Sequence, residues 1–157
     1  MPRGLLMHGD PGLGKTLMAE AFIEESGLNT YVLCRNKDSS DFIKEITTIF
    51  KKAKKTAPSI VFPDDMDKFA NEDSDHCDAK EYVAVQAGIG EVKDNGVFIL
   101  ATVNDIYKLP NSLTRMGRFA TRTDAVKIIR HYLAGKKGSD TLNMEDLANI
   151  ICYRSCA

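Results

Sequence analysis

Short apolar runs alternate along the chain with longer segments whose apolar residues recur at helical spacing. Such alternation predicts strands joined by crossover helices, and therefore a mostly parallel sheet flanked by helices. The first run, Leu5-Leu6-Met7, ends at a Gly-rich turn, after which Leu17, Met18, Ala19, Ala21 and Phe22 predict a helix that closes near Gly27. Thr30 to Leu33 reads as the second strand, and the polar stretch Arg35 to Asp41 as a loop. Phe42, Ile43, Ile46, Ile49, Phe50 and Ala53 then recur with a helical period up to Ala57-Pro58. Lys51, Lys52, Lys54 and Lys55, interleaved with them, read as the solvated side of that helix rather than as a nucleic-acid patch.

Ser59-Ile60-Val61-Phe62 is the third strand, followed by an acidic, irregular stretch from Asp64 to Asp78 and a helix around Ala79 to Ala87. Gly96 to Thr102 is an almost continuous apolar run of the kind covered on both faces, which places it at the centre of the sheet. Asp124 to Leu133 is amphipathic, Gly135-Lys136-Lys137-Gly138 is a turn, and Asn143 with Asp146 opens another helix. The tail contains no strand. The expected organisation is an α/β core over residues 1–123 and part of a small helical subdomain over 124–157.

Composition narrows the classes. A chain of 157 residues, 43% of them hydrophobic, buries on folding about 68–70% of its unfolded surface, enough for a core without staples. With 21 Lys+Arg against 22 Asp+Glu, neither a strongly basic nucleic-acid surface nor a polybasic membrane patch is indicated. No stretch approaches the roughly 18 apolar residues of a transmembrane helix, and the beginning of the chain has no cleavable signal pattern. Cys34, Cys77, Cys152 and Cys156 form no CxxC pair, so reduced thiols in the cytoplasm are expected. His8, His76 and His131 lack a second His at zinc-ligand spacing, and His76-Cys77 reads as an exposed loop.

The chemistry begins at Gly9-Asp10-Pro11-Gly12-Leu13-Gly14-Lys15-Thr16, which matches the phosphate-loop pattern GxxxxGK[ST] between a strand and a helix. Glycines there aim successive N–H groups inward, and the following helix adds its positive end. Asp10, Pro11, Gly12, Leu13, Gly14, Lys15, Thr16 and Leu17 are the candidate nucleotide-binding residues. Lys15 would reach the β and γ phosphates and Thr16 would offer its hydroxyl to Mg²⁺. The third strand ends in Pro63-Asp64-Asp65-Met66-Asp67. Asp64 is the candidate metal-binding carboxylate, and Asp65 the candidate that polarises the attacking water.

These motifs resemble the AAA+ ATPase family, and within it the core module of FtsH-type ATP-dependent proteases and related remodelling ATPases, over nearly the whole chain. The resemblance implies a phosphate-loop NTPase fold with ATP/ADP and Mg²⁺ as ligands. Where the family has hhhhDE, this chain reads IVFPDD: Asp64 falls on the metal-binding Asp, and Asp65 stands one methylene short of the usual Glu. Pro63 would also remove a ladder N–H from a strand expected to be internal. Both departures leave slow turnover, or binding without turnover, open. Ala101-Thr102-Val103-Asn104 is similar to the segment whose Asn senses the γ-phosphate, and Leu113 to Phe119 to the segment whose arginines enter a neighbouring subunit's site. Asn104, Arg115 and Arg118 take those roles by resemblance, which also implies a homo-oligomeric, hexameric ring acting on a protein client that the sequence does not identify.

The resemblance thins in places. Between Phe119 and Asp124 there is no room for the family's final strand, so either an edge strand is lost or a segment is missing there. Asn36 to Asp41 holds no aromatic-Gly threading element, and no HExxH protease motif occurs. The chain reads as a piece of a longer protein. The expected function is Mg²⁺-dependent ATP binding and hydrolysis that remodels a protein partner. The alternative is a regulatory ATP-binding switch or scaffold that hydrolyses little; a nucleic-acid remodeller is disfavoured by the neutral charge.

Overall fold

A computed structural model of the chain describes residues 4–70 and 79–114. The expectations for the helical tail, for the junction near 119–124 and for Arg115 and Arg118 lie outside the described residues, as do those for His76-Cys77. Four parallel strands, β1 (Gly4–His8), β2 (Asn29–Leu33), β3 (Ser59–Pro63) and β4 (Val97–Val103), lie in the order β1-β4-β3-β2. They are connected through α1 (Lys15–Ser26), α2 (Ser39–Lys55) and α3 (Ala79–Glu91), and a short α4 (Asn111–Thr114) follows β4. This is the α/β architecture of a P-loop NTPase, with the apolar run of β4 inside the sheet as its composition predicts.

The period-2 geometry of the strands sorts their side chains into two layers. Leu5, Met7, Ile60, Phe62 and Leu100 face α1 and pack with its Ala19, Met18 and Phe22. Leu6, Val61, Ile99 and Ala101 face the other way, into a larger cluster with α2 and α3. Phe22 stacks on Phe98 at 6.0 Å between centroids, and Phe42 meets Phe69 edge-on at 5.1 Å. On α2, Phe42, Ile46, Phe50 and Ala53 form the buried stripe while the four lysines stay exposed. No described helix is long and apolar enough to cross a membrane.

One detail differs from the expectation. Ser39-Ser40-Asp41 belong to the first turn of α2, with the carbonyl of Asp38 accepting from the N–H groups of Asp41 and Phe42. Short polar residues suit a helix start as well as a loop, so their composition does not separate the two. Pro63 behaves as expected. On β3 the N–H of Ser59 points to β4, donating to Gly96 at 3.3 Å, and that of Asp64 points to β2, donating to Leu33 at 3.0 Å. Position 63 therefore faces β4, and the β3–β4 register ends at Val61↔Ile99. The strand is internal, and its ladder to β4 stops where Pro63 has no N–H to give, as the sequence implies.

Candidate functional site

The loop after β1 turns into α1 through residues with left-handed backbones: φ is 85° at Gly12 and 75° at Gly14. A side chain is strained at such angles. A Cβ at either position would meet nothing within 4 Å, so glycine serves the backbone path and leaves open space above the loop. Pro11 to Gly14 are exposed, as is Asp10, whose side chain is free to point away from an anion. Gly14 provides no side-chain cap for α1, and the first turn of α1 holds no acidic residue. Neither a side-chain cap nor an acidic residue of α1 itself answers the positive end of the helix, which favours an anion there. Lys15 is buried, and its Nζ donates to the carbonyls of Gly9 at 2.8 Å and Asp10 at 2.9 Å. Carbonyl partners solvate the ammonium without neutralising it. A loop of this kind, with these residues, fits a polyphosphate.

Thr16, at the start of α1, and Asp64, just past β3, meet directly: the Thr16 hydroxyl donates to Asp64 Oδ1 at 3.0 Å. A hydroxyl that spends its proton on a carboxylate keeps its lone pairs for a cation. The same Oδ1 accepts from the hydroxyl of Thr102 on β4 at 2.6 Å. Thr102 Oγ1 in turn accepts the main-chain N–H of Asp65 at 2.8 Å. Among the described residues no cluster of three or more His, Cys, Asp or Glu could hold a metal ion by itself. That donor set suits Mg²⁺, which retains water and takes few protein ligands.

Asp65 has a left-handed backbone, φ 49° and ψ 50°, a conformation that Asp tolerates better than most side chains. Its Oδ1 accepts from the side-chain amide of Asn104 at 2.9 Å, and its Oδ2 from Lys68 Nζ at 2.6 Å. The bond from Lys68 lowers the Asp65 pKa below its ordinary value; partial burial opposes this, while the Lys68 charge, the Asn104 bond and the more distant charge of Lys15 assist it. The Lys68 pKa is raised by the same pair. Asp67 is buried and accepts main-chain N–H groups of the following strand end, Asn104 at Oδ1 (3.1 Å) and Asp105 at Oδ2 (3.4 Å).

Thr16, Asp64, Asp65 and Asn104, read separately from the sequence, therefore belong to one hydrogen-bonded group beside the phosphate loop. Arg115 and Arg118 lie outside the described residues. Thr102, Asp67 and Lys68 were not singled out by sequence reasoning. A threonine inside an apolar strand and an acidic residue two past Asp65 were the available signals, and neither shows its partner without the fold.

A phosphate loop closing on a carboxylate at the end of a parallel strand defines a nucleotide-binding P-loop module. The family model for ATPases associated with various cellular activities (AAA) matches residues 5–125, and the chain belongs to this family. Membership makes it an ATP-binding module of the ATPase class. It is 31% identical over 170 residues to the ATP-dependent zinc metalloprotease FtsH of Leptotrichia buccalis, covering 96% of this chain and 22% of that protein. It is also 31% identical over 166 residues to the cell division cycle protein 48 homolog of Archaeoglobus fulgidus, covering 94% and 22%. Similarity to the FtsH 2 zinc metalloprotease of Bdellovibrio bacteriovorus is 30% over 172 residues, covering 96% and 28%. The chain spans about a quarter of the length of these curated relatives.

Proposed function

We propose that this chain binds ATP with Mg²⁺ and hydrolyses it as the nucleotide-driven part of an oligomer that remodels a protein partner in the cytoplasm. The observation that carries the reading is the direct bond between Thr16 and Asp64, which joins the phosphate loop to the acidic strand end. In this reading the loop amides and Lys15 hold the β and γ phosphates, Lys15 exchanging its carbonyl partners for phosphate oxygens. Thr16 and Asp64 are the residues that would hold Mg²⁺, which when bound neutralises charge across those phosphates. Asp65 accepts the proton of the attacking water, and Asn104 orients that water against the γ-phosphate. Arg115 and Arg118 complete the site of a neighbouring copy. Remodelling and a ring are proposed from the family resemblance.

Lys15→Ala tests the binding half. Hydrogen bonds to charged groups contribute about 1.5–3 kcal/mol, so ATP affinity should fall about tenfold to a hundredfold in an equilibrium titration. Undiminished affinity would refute the cradle. A second reading, a switch that binds ATP and hydrolyses little, is favoured by one observation: both Asp65 oxygens are already engaged, by Asn104 and by Lys68, on a carboxylate one methylene shorter than the family's Glu. Phosphate release by the chain and by its Asp65→Glu variant separates the two. Steady release by the wild type supports the motor; tight binding, negligible release and a large gain in the Glu variant support the switch.

A further inference from the structure

The sheet opens where the site lies. β4 stays paired with β1 as far as His8↔Val103, and β3 with β2 as far as Leu33↔Pro63. The seam between β3 and β4 has main-chain register only to Val61↔Ile99. Past that point, two buried side chains cross the gap. The Thr102 hydroxyl gives its proton to Asp64 Oδ1 and takes the N–H of Asp65. From the other side, Asp67 takes the N–H groups of Asn104 and Asp105 with its two oxygens.

We infer that Thr102 and Asp67 are positioning residues that hold the acidic end of β3 and the Asn104 end of β4 as one unit where the ladder no longer does. The inference rests on the hydrolytic reading of Asp65 and Asn104. Strand ends that part can drift independently, and a misplacement of about 1 Å between reacting groups can cost about 10²-fold in rate. Thr102 fixes the main chain of Asp65 while restraining Asp64, and Asp67 fixes the main chain of Asn104. The bond between the Asp65 and Asn104 side chains then forms between two anchored backbones. Lys15 and the loop glycines stand apart from this bridge, which meets the proposed Mg²⁺ site only through the Thr102 bond to Asp64, so its larger effect falls on turnover.

Thr102→Val keeps the shape and deletes the hydroxyl, whereas Thr102→Ser keeps the hydroxyl. In steady-state kinetics of the full chain with Mg-ATP, the Val variant should lose about 10²-fold in kcat with a smaller change in KM, and Ser should restore kcat to within about threefold. Asp67→Asn, which retains one acceptor, should fall between wild type and Asp67→Ala. Equal impairment of the Val and Ser variants, a loss confined to KM, or unchanged kcat would overturn the inference. Amide hydrogen exchange supplies a readout independent of turnover. Thr102→Val should speed exchange at Asp65, and Asp67→Ala at Asn104 and Asp105, while Leu100 in the same strand keeps its wild-type rate. Unchanged exchange overturns the bridge whatever the kinetics. Faster exchange in a wild-type background that releases no phosphate would leave the bridge standing and sink the hydrolytic reading instead.

Discussion

Lys68 and Asn104 divide the two oxygens of Asp65 between them, and the two donors differ in kind. Asn104 is neutral and half-buried at a strand end; Lys68 is a largely exposed cation, so solvent screens its attraction. The bond is nevertheless short, and it lowers the Asp65 pKa while raising that of Lys68. A lowered carboxyl pKa stabilises the fold at pH values above the unfolded value and loses that contribution as pH falls through the folded one. The raised ammonium pKa works in the opposite direction: its contribution is complete below the unfolded value and disappears as pH rises through the folded one. The pair therefore spans the whole neutral range. In Mg²⁺-free protein, a carboxyl-carbon NMR titration should find Asp65 below the ordinary Asp value, and Lys68→Ala should move it upward. An Asp65 midpoint indifferent to Lys68 would remove this ion pair from the site. The shift also bears on chemistry, because a carboxylate made more acidic is a weaker base for the attacking water. Together with its short side chain, this is the residue-level reason that Asp65→Glu is the most informative single substitution.

At the scale of elements, α2 and α3 pack through one tight point. A Cβ built on Gly88 of α3 would run into the ring of Phe50 on α2, whereas one on Gly90 would meet nothing within 4 Å. Phe50 is itself buried and cannot retreat without disturbing the core. Gly88→Ala should therefore destabilise the fold by about 1–2 kcal/mol, overpacking exceeding the gain in helix propensity. Gly90→Ala, in the same helix, should be neutral or stabilising by about 0.5–1 kcal/mol. Urea denaturation of both variants checks the opposite signs. The pattern of apolar positions made all four strands and the three crossover helices legible, because each strand run is short and dense, α2 carries a clear apolar stripe, and the other helices fill the intervals between strands. It missed the first turn of α2, where Ser39-Ser40-Asp41 carry no stripe, and placed the end of α3 early, since Gly88 and Gly90 look like breakers until the closeness of Phe50 explains the first of them. At the site, a local spacing exposed the loop residues, and Asp64, Asp65 and Asn104 were legible from position at strand ends. Thr102 and Asp67 were not. Their roles depend on what joins β3 to β4 past Val61↔Ile99; Pro63 marks where the ladder stops, but nothing in the local sequence names the side chains that take over.

On the scale of the whole molecule, the phosphate loop, Asp64, Asp65 and Asn104 gather in one subunit, while the cations expected at the developing γ-phosphate charge, Arg115 and Arg118, are assigned to a neighbour by family resemblance. An arginine at that position is worth about 10³–10⁵ in rate where it acts in phosphoryl transfer. Turnover per subunit should then rise with protein concentration and level off once copies associate, with the rise tracking mass measured by sedimentation. ATP affinity should stay flat over the same range, since the groups proposed to bind it come from one chain. Mixing makes the test stricter. A Lys15→Ala subunit, at ATP concentrations below its weakened affinity, stays largely empty but can lend its arginines; an Arg118→Ala subunit holds ATP but lends nothing at that position. Each should be nearly inactive alone, and their mixture should recover part of the wild-type rate, because some interfaces then join an intact loop to an intact arginine. Recovery in the mixture has no explanation within a single subunit, whereas turnover that is independent of concentration and unaffected by Arg118→Ala would place the decisive charge inside one chain, with Lys15 as the described cation nearest the phosphates to supply it.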